Sequence, residues 1–133
     1  MKITREADYA LRIVAMLAGE TKQVEAKAIA EKKRVPYRFT LKILRKLVQS
    51  GLVKSYRGVN GGYALNRGAN EITFKDVIEA IDGSIAINAC IEQPRICENA
   101  NDCNIQRQLL LAQNVFAKEL DSISFDQILQ EER

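Results

Sequence analysis

Three cysteines stand close together in the second half of the chain, spaced Cys90-x6-Cys97-x5-Cys103. Thiolates gathered this tightly suit a soft metal or an iron–sulfur cluster. The spacing lacks the C-x2-C pairs of zinc ribbons, which weakens a zinc reading. The chain has no histidine. The fourth ligand wanted by a [2Fe–2S] or [4Fe–4S] centre must therefore be a carboxylate, another oxygen or nitrogen group, or a group from a partner subunit. A thiol redox switch and inert thiols are the other two readings. Structural disulfides are disfavoured, because three cysteines cannot all pair within one chain. The opening MKITREADYALR also lacks the apolar stretch of a signal peptide, so the chain reads as cytosolic.

A second set of residues has a different chemistry. Arg38, Lys42, Arg45 and Gln49 fall at i, i+4, i+7 and i+11, so a helix puts them on one face. A helix fits the DNA major groove. Arg38, Lys42 and Arg45 could reach guanine edges or phosphates there, and Leu41 beside them a thymine methyl. Downstream, Leu52-Val53-Lys54-Ser55-Tyr56-Arg57 and Tyr63-Ala64-Leu65 flank Gly58-Val59-Asn60-Gly61-Gly62. Two short strands around Asn60-Gly61 read as a β-hairpin with a type I′ turn. Its Arg57 would enter a minor groove or clamp a phosphate.

The charge distribution agrees with this reading. Residues 1–67 hold 15 Lys and Arg against 5 Asp and Glu, a net of +10. Residues 68–133 hold 5 against 12, a net of −7. A split that steep suggests a polyanion-binding front and a different task behind, whereas two solvated surfaces of opposite sign would be the plain alternative.

These residues need elements to position them. Thr4 caps a first helix with Ala7, Ala10, Leu11, Val14, Leu17 and Ala18 on its apolar face, and Gly19 ends it. A short second helix through Glu25–Lys33 turns Ala28 and Ile29 inward, and Val35-Pro36 breaks it. The cationic helix runs from about Pro36 to Gln49, with Phe39, Ile43, Leu44, Leu47 and Val48 as its buried stripe. Two helices joined by a tight turn, with a hairpin behind, describe a winged helix-turn-helix. Thr73 opens a further helix with Asp76 at the capping-box position, Val77, Ile78 and Ile81 inside, and Gly83 after its end. Residues 84–104 have no clear period. A long helix follows, on which Ile105, Leu109, Ala112, Phe116 and Leu120 are spaced 4, 3, 4 and 4. Leu110, Leu111 and Val115 widen that stripe, and so wide a face in so small a chain favours a two-fold helix–helix interface. Two winged helices about 34–36 Å apart would then read a roughly palindromic operator. Ser124-Phe125-Asp126-Gln127 resembles a capping box for a last helix holding Ile128 and Leu129.

At 133 residues, 47% hydrophobic and 28% charged, the chain can bury a core, and no apolar run approaches the ~20 residues of a membrane span. Without histidine, Ser-His-Asp catalysis and His-ligated zinc are excluded. No GxSxG, GxGxxG, P-loop or HExxH pattern supports an enzyme.

Three features in order carry a resemblance that covers essentially the whole chain. They are the opening MKITREADYALR, the run Arg57-Gly58-Val59-Asn60-Gly61-Gly62-Tyr63-Ala64-Leu65 matching RGxxGGYxL, and the three-cysteine loop before a long helix. The sequence resembles the IscR/NsrR-type family of bacterial winged-helix transcriptional regulators. The resemblance implies a homodimeric repressor or activator whose DNA binding depends on an iron–sulfur cluster. It places Cys90, Cys97 and Cys103 on cluster-binding positions, Arg38, Leu41 and Lys42 on base-reading positions, and Arg57, Gly58, Asn60, Gly61 and Tyr63 on the wing. IscR-like [2Fe–2S] members use a histidine three residues after the third cysteine, where this chain has Gln106. NsrR-like members take an aspartate of the other subunit's first helix onto a [4Fe–4S] cluster, and Asp8 stands at that position. [4Fe–4S] is thus the favoured cofactor, with [2Fe–2S] as the other choice. Some members carry no cluster and act through thiols.

The expectation is therefore a mainly α protein with a small hairpin wing: a winged helix-turn-helix over 1–67, then a cluster loop and dimerisation helices over 68–133. Its partners would be double-stranded DNA and a second copy, with a regulatory protein as a further candidate and no membrane. The rivals are a cluster-free thiol regulator of the same fold and a small iron–sulfur redox protein.

Overall fold

A computed structural model describes residues 2–92 and 103–131, except the side chains of Ala89, Cys90 and Glu131. Helix α1 (Arg5–Ala18) is the centre of the molecule. Thr4 caps it as expected, its hydroxyl oxygen accepting from Ala7 N at 3.1 Å, and Gly19 follows its end. Ala7, Ala10, Ile13 and Val14 are fully buried and Leu17 nearly so. Around α1 pack α2 (Ala26–Lys33), α3 (Tyr37–Gln49), α4 (Phe74–Asp82) and α7 (Phe125–Glu131). One core cluster joins Ile29, Ile43, Leu44, Leu47, Leu52 and Val53 to Ile72, Val77, Ile81 and Phe125. The two halves of the charge split therefore share a core.

Details of the second and third helices differ from the sequence reading. In α2 the inward residues are Ile29 and Ala30, while Ala28 is exposed. A short helix rich in alanine has no strong apolar side chain besides Ile29 to set its rotation. The helix ends at Lys33 as expected, and the residue after it, Arg34, is left-handed. In α3 the inward set is Thr40, Ile43, Leu44 and Leu47, with Val48 half-buried. Phe39 is 45% exposed, its ring lying 6.5 Å from that of Tyr9. Thr40 takes the inward position of the first turn instead, and its hydroxyl is satisfied by donating to the Pro36 carbonyl at 3.2 Å.

The hairpin pairs β1 (Val53–Tyr56) with β2 (Gly62–Leu65), antiparallel, with Tyr56 opposite Gly62. The connection is thus residues 57–61, closed by Gly61 N to the Gly58 carbonyl at 3.0 Å. It is not the expected two-residue type I′ turn at Asn60-Gly61, and the positive φ values fall on Gly58 and Gly62 instead of Asn60. A Cβ on Gly62 would stand 2.6 Å from the Val24 carbonyl oxygen, where Val24 bridges Tyr63. That close approach is what requires glycine there.

In the second half, Thr73 and Asp76 form the expected capping box of α4, with Val77, Ile78 and Ile81 buried and Gly83 after its end. A short α5 (Ala89–Glu92) precedes the long α6 (Asn104–Asp121). The expected box at Ser124 takes another form. Ser124 Oγ pairs with Asp126, and Gln127 reaches back to the Ser122 carbonyl. Phe125, unassigned by the sequence reading, is fully buried with its ring 5.1 Å from that of Phe74. No helix among the described residues is long and apolar enough to cross a membrane.

Phe125 ties the C-terminus into the shared core. Phe125→Ala is expected to lower unfolding free energy by about 3–5 kcal/mol, as large aromatic truncations in packed cores do. Urea titration by circular dichroism measures this, and a loss under about 1 kcal/mol would show α7 to be peripheral.

Candidate nucleic-acid interface and cluster loop

The outward face of α3 carries the cations in one row. Arg38, Lys42, Arg45 and Gln49 are all exposed, and Leu41 beside them is half-buried. Opposite lie the core residues of the same helix, so packing fixes which side chains can leave the protein. Arg38 and Arg45 meet no acidic partner among the described residues, and neither does Arg57 at the start of the hairpin loop. Val59 at the loop tip is 96% exposed. The loop is braced from below, because Gln23 Nε2 donates to the Asn60 carbonyl at 2.5 Å. Lys54 lies over the Tyr56 ring at 5.4 Å from its centroid. Of the wing residues singled out by sequence, Arg57, Gly58 and Asn60 are exposed and Gly61 is half-buried. Tyr63 packs against the core, with its backbone paired to Val24.

Lys42 and its neighbour Lys46 share a partner that sequence reasoning missed. Glu6 on α1 lies 3.1 Å from Lys46 Nζ and 3.9 Å from Lys42 Nζ. Its Oε1 is buried and has no conventional hydrogen bond. The contact is therefore ionic, held by two ammonium groups and little solvent. Lys46 also donates to the Ile81 carbonyl at the end of α4, at 3.3 Å. Two residues earlier, the hydroxyl of the N-cap Thr4 donates to Asp82 at 2.8 Å. The N-terminus of α1 is thus bolted to both α3 and the C-terminus of α4. Locally, Glu6 reads only as a first-turn acid favoured by the helix dipole. No local pattern points to partners some 40 residues away.

The cysteine loop follows α4. Cys90 lies in α5 and its side chain is outside the described residues, as is all of Cys97. Cys103 occupies the N-cap of α6 and is half-buried, its sulfur accepting from Gln106 N at 3.5 Å. That is the end of a helix that favours anionic groups. Asp8 lies on the first turn of α1 with about half its side chain exposed, paired to Arg12 at 3.0 Å. Among the described residues no three metal-ligating side chains gather. The donor chemistry nevertheless fits an iron–sulfur group: the sequence supplies three sulfurs, and the one described is held at the N-terminus of α6.

Helix α6 divides its expected stripe. Leu120 is buried and Leu109 half-buried against the chain's own body. Ala112 and Phe116 are exposed, and Ile105 is 71% exposed. Gln113, outside the expected stripe, is buried, and its side-chain oxygen accepts from Ile87 N at 2.9 Å. Leu110, Leu111 and Val115 join the exposed set. An apolar cavity of about 740 Å³, lined by Ile78, Ile85, Phe116 and Leu120 among others, opens beside it.

This architecture, three helices and a hairpin followed by a loop and a long helix, defines a winged-helix transcriptional regulator. The Rrf2 family, described as "Iron-dependent Transcriptional regulator", matches residues 3–131, and the chain belongs to that family. Rrf2 regulators bind DNA and commonly act as dimers. Protein aau3 of Rhizobium meliloti (strain 1021) is 33% identical over 98% of this chain and 86% of its own. Among solved structures, CymR, the global cysteine regulator of B. subtilis, superposes with a TM-score of 0.81 at 25% identity, covering 98% of both chains. T. potens IscR shares the fold, with a TM-score of 0.76 at 24% identity, over all of this chain and 89% of its own.

The Glu6–Lys46 contact is expected to couple α1 and α3 energetically. A double-mutant cycle with Glu6→Gln and Lys46→Met should give a coupling of about 1 kcal/mol in urea unfolding, because both groups are largely shielded. Additivity of the two substitutions would show the contact to be incidental.

Proposed function

We propose that this chain is a homodimeric, sequence-specific DNA-binding repressor whose operator affinity is set by an iron–sulfur cluster on Cys90, Cys97 and Cys103. The observation that carries the DNA-reading half is the division of α3: Thr40, Ile43, Leu44 and Leu47 enter the core, while Arg38, Lys42 and Arg45 are left in solvent. In this reading Arg38 and Arg45 approach the major groove, Leu41 lies against the bases, and Arg57 follows a phosphate or the minor groove. Gly58, Asn60, Gly61 and Tyr63 give the wing its shape. Lys42 must exchange Glu6 for DNA.

The exposed apolar face of α6 supports self-association. Ile105, Leu111 and Val115 are each more than half exposed in the single chain. With Ala112 and Phe116, exposed along the same helix, they offer an apolar surface to a second copy, which would set two recognition helices on a roughly palindromic site, whereas Leu120 and most of Leu109 are taken up by the chain's own body.

A bound cluster supplies an iron site reactive toward redox change or nitric oxide. Asp8 of the partner subunit is the proposed fourth donor, favouring [4Fe–4S]; with [2Fe–2S] that position stays open. The chain's own part is transmission. Helix α1 carries Asp8, and two residues away Glu6 holds Lys46 of α3. Movement of α1 therefore changes the setting of the recognition helix through a contact already in place.

A cluster-free thiol regulator is the second reading, favoured by the neighbouring S. aureus CymR, whose structure is described as an oxidized form. Anaerobic purification separates the two. About four irons and four sulfides per chain, with the absorbance altered in Asp8→Ala, are expected. Iron-free protein that binds its operator specifically and responds to peroxide would favour the thiol reading. Cys97→Ala should change operator affinity while leaving the dimer folded. Equal affinity of wild type with cluster, apoprotein and variant would sink cluster control.

Lys42→Ala is expected to cost about 1–3 kcal/mol of operator affinity and to shift base preference. Loss of salt dependence alone, with unchanged preference, would reduce Lys42 to a phosphate contact.

A further inference from the structure

The turn between α2 and α3 holds the one residue other than glycine with positive φ among those described: Arg34, at φ 55° and ψ 42°. The turn is a complete Schellman termination. Val35 N donates to the Ala30 carbonyl at 3.0 Å and Arg34 N to that of Glu31 at 3.4 Å, while Val35 is buried. That pattern requires a left-handed residue at position 34 and ordinarily takes glycine, or asparagine, because a Cβ is disfavoured there. An arginine gains only the modest attraction of a cation to the C-terminus of α2, which Lys32 and Lys33 already supply. Its backbone N–H would be satisfied equally by glycine. Its side chain is exposed and has no ion-pair partner among the described residues. It also follows Lys32, which faces Glu20, and Lys33 directly, and precedes Arg38 by four residues. Like charges so close together are unfavourable unless an anion is supplied.

A strained residue whose contribution to the fold is small, and duplicated by its neighbours, points to a role outside it. We infer that Arg34 is a phosphate-binding residue, in which the helix-turn-helix gives up the relaxed turn to hold a guanidinium beside the recognition helix. The left-handed backbone carries the side chain out of the turn between α2 and the N-terminus of α3, the end of the recognition helix that approaches a groove. A guanidinium there suits a phosphate on the strand flanking the groove, which it can hold through two parallel hydrogen bonds. This contact would set the register of α3 without reading sequence. It rests on the DNA-binding reading above and adds a site to it.

The test compares Arg34→Gly and Arg34→Lys with wild type, on full-length protein. The probe is a mixed-sequence duplex about 30 base pairs long, which spans two half-sites one turn apart. Arg34→Gly is expected to raise Tm by about 3 °C through relief of the left-handed strain. It should also weaken duplex binding by about 10-fold, with the slope of log K against log salt falling by about two per dimer, one phosphate per subunit. Arg34→Lys should keep most of the slope and gain no Tm. A glycine variant with higher Tm but unchanged affinity and slope would overturn the inference, as would weaker binding with an unchanged slope. Wild-type protein that binds no duplex in a salt-dependent way would overturn this inference and the DNA-binding reading together. Wild-type binding with the glycine variant unaffected overturns the Arg34 site alone.

Discussion

The molecule is organised by the burial of one helix on nearly every side. Ala7 and Ala10 are fully buried on α1, and their small side chains let neighbouring helices come close. Helices α3, α4 and α7 and strand β2 all pack on it. Any larger residue at either alanine would have to displace packed neighbours in a core with no slack. The same burial explains why a charge split of +10 and −7 does not divide the chain into two independent bodies. The basic front and the acidic rear differ in surface, while Ile72, Val77 and Phe125 belong to the core cluster of Ile13, Ile43 and Leu47.

A helix held this way transmits position instead of absorbing it. Its N-terminal turn bears Thr4, which reaches Asp82, and Glu6, which faces Lys46, while Lys46 in turn reaches the Ile81 carbonyl. These three contacts meet at the C-terminus of α4, from which the chain leaves toward the cysteine loop. A change in that loop has a short physical route to α3, made of one helix end and one ion pair. Whether the bolted arrangement has a second stable setting is what would make the route allosteric, since coupling requires two states and not proximity alone.

What could be read from the sequence was whatever is encoded locally. The capping box at Thr73 and Asp76, the helix end at Gly83, and the outward row Arg38, Lys42 and Arg45 need only spacing and residue type, and the fold contains them. The misplacements have a common cause, which is that position depends on partners distant in sequence. Phe39 reads as core by hydrophobicity, yet Thr40 takes the inward position because its hydroxyl closes on the Pro36 carbonyl. Asn60-Gly61 signals a two-residue turn only if the strands pair in that register, and Val24 bridging Tyr63 accompanies a different one. Nothing local marks Gln113 as buried, and its partner Ile87 N lies 26 residues away. In α2, alanines carry too little side chain to declare an inward face.

The contact sequence reasoning had no means of finding also shapes the chemistry of the candidate interface. Four cations, Arg38, Lys42, Arg45 and Lys46, lie along α3, but Glu6 engages both lysines. Its carboxylate lowers the positive field of that helix by one charge and leaves the arginines without an acidic partner among the described residues. Lysine is a compact point charge that attracts any phosphate, whereas arginine presents a planar fork that can match the two acceptors of guanine. Compensating the lysines and sparing the arginines therefore reduces indiscriminate attraction to polyanions more than it reduces directional hydrogen bonding. A DNA-binding helix gains selectivity from such a partner even though its total affinity falls, because specificity depends on the difference between sites and not on the strength at any one of them.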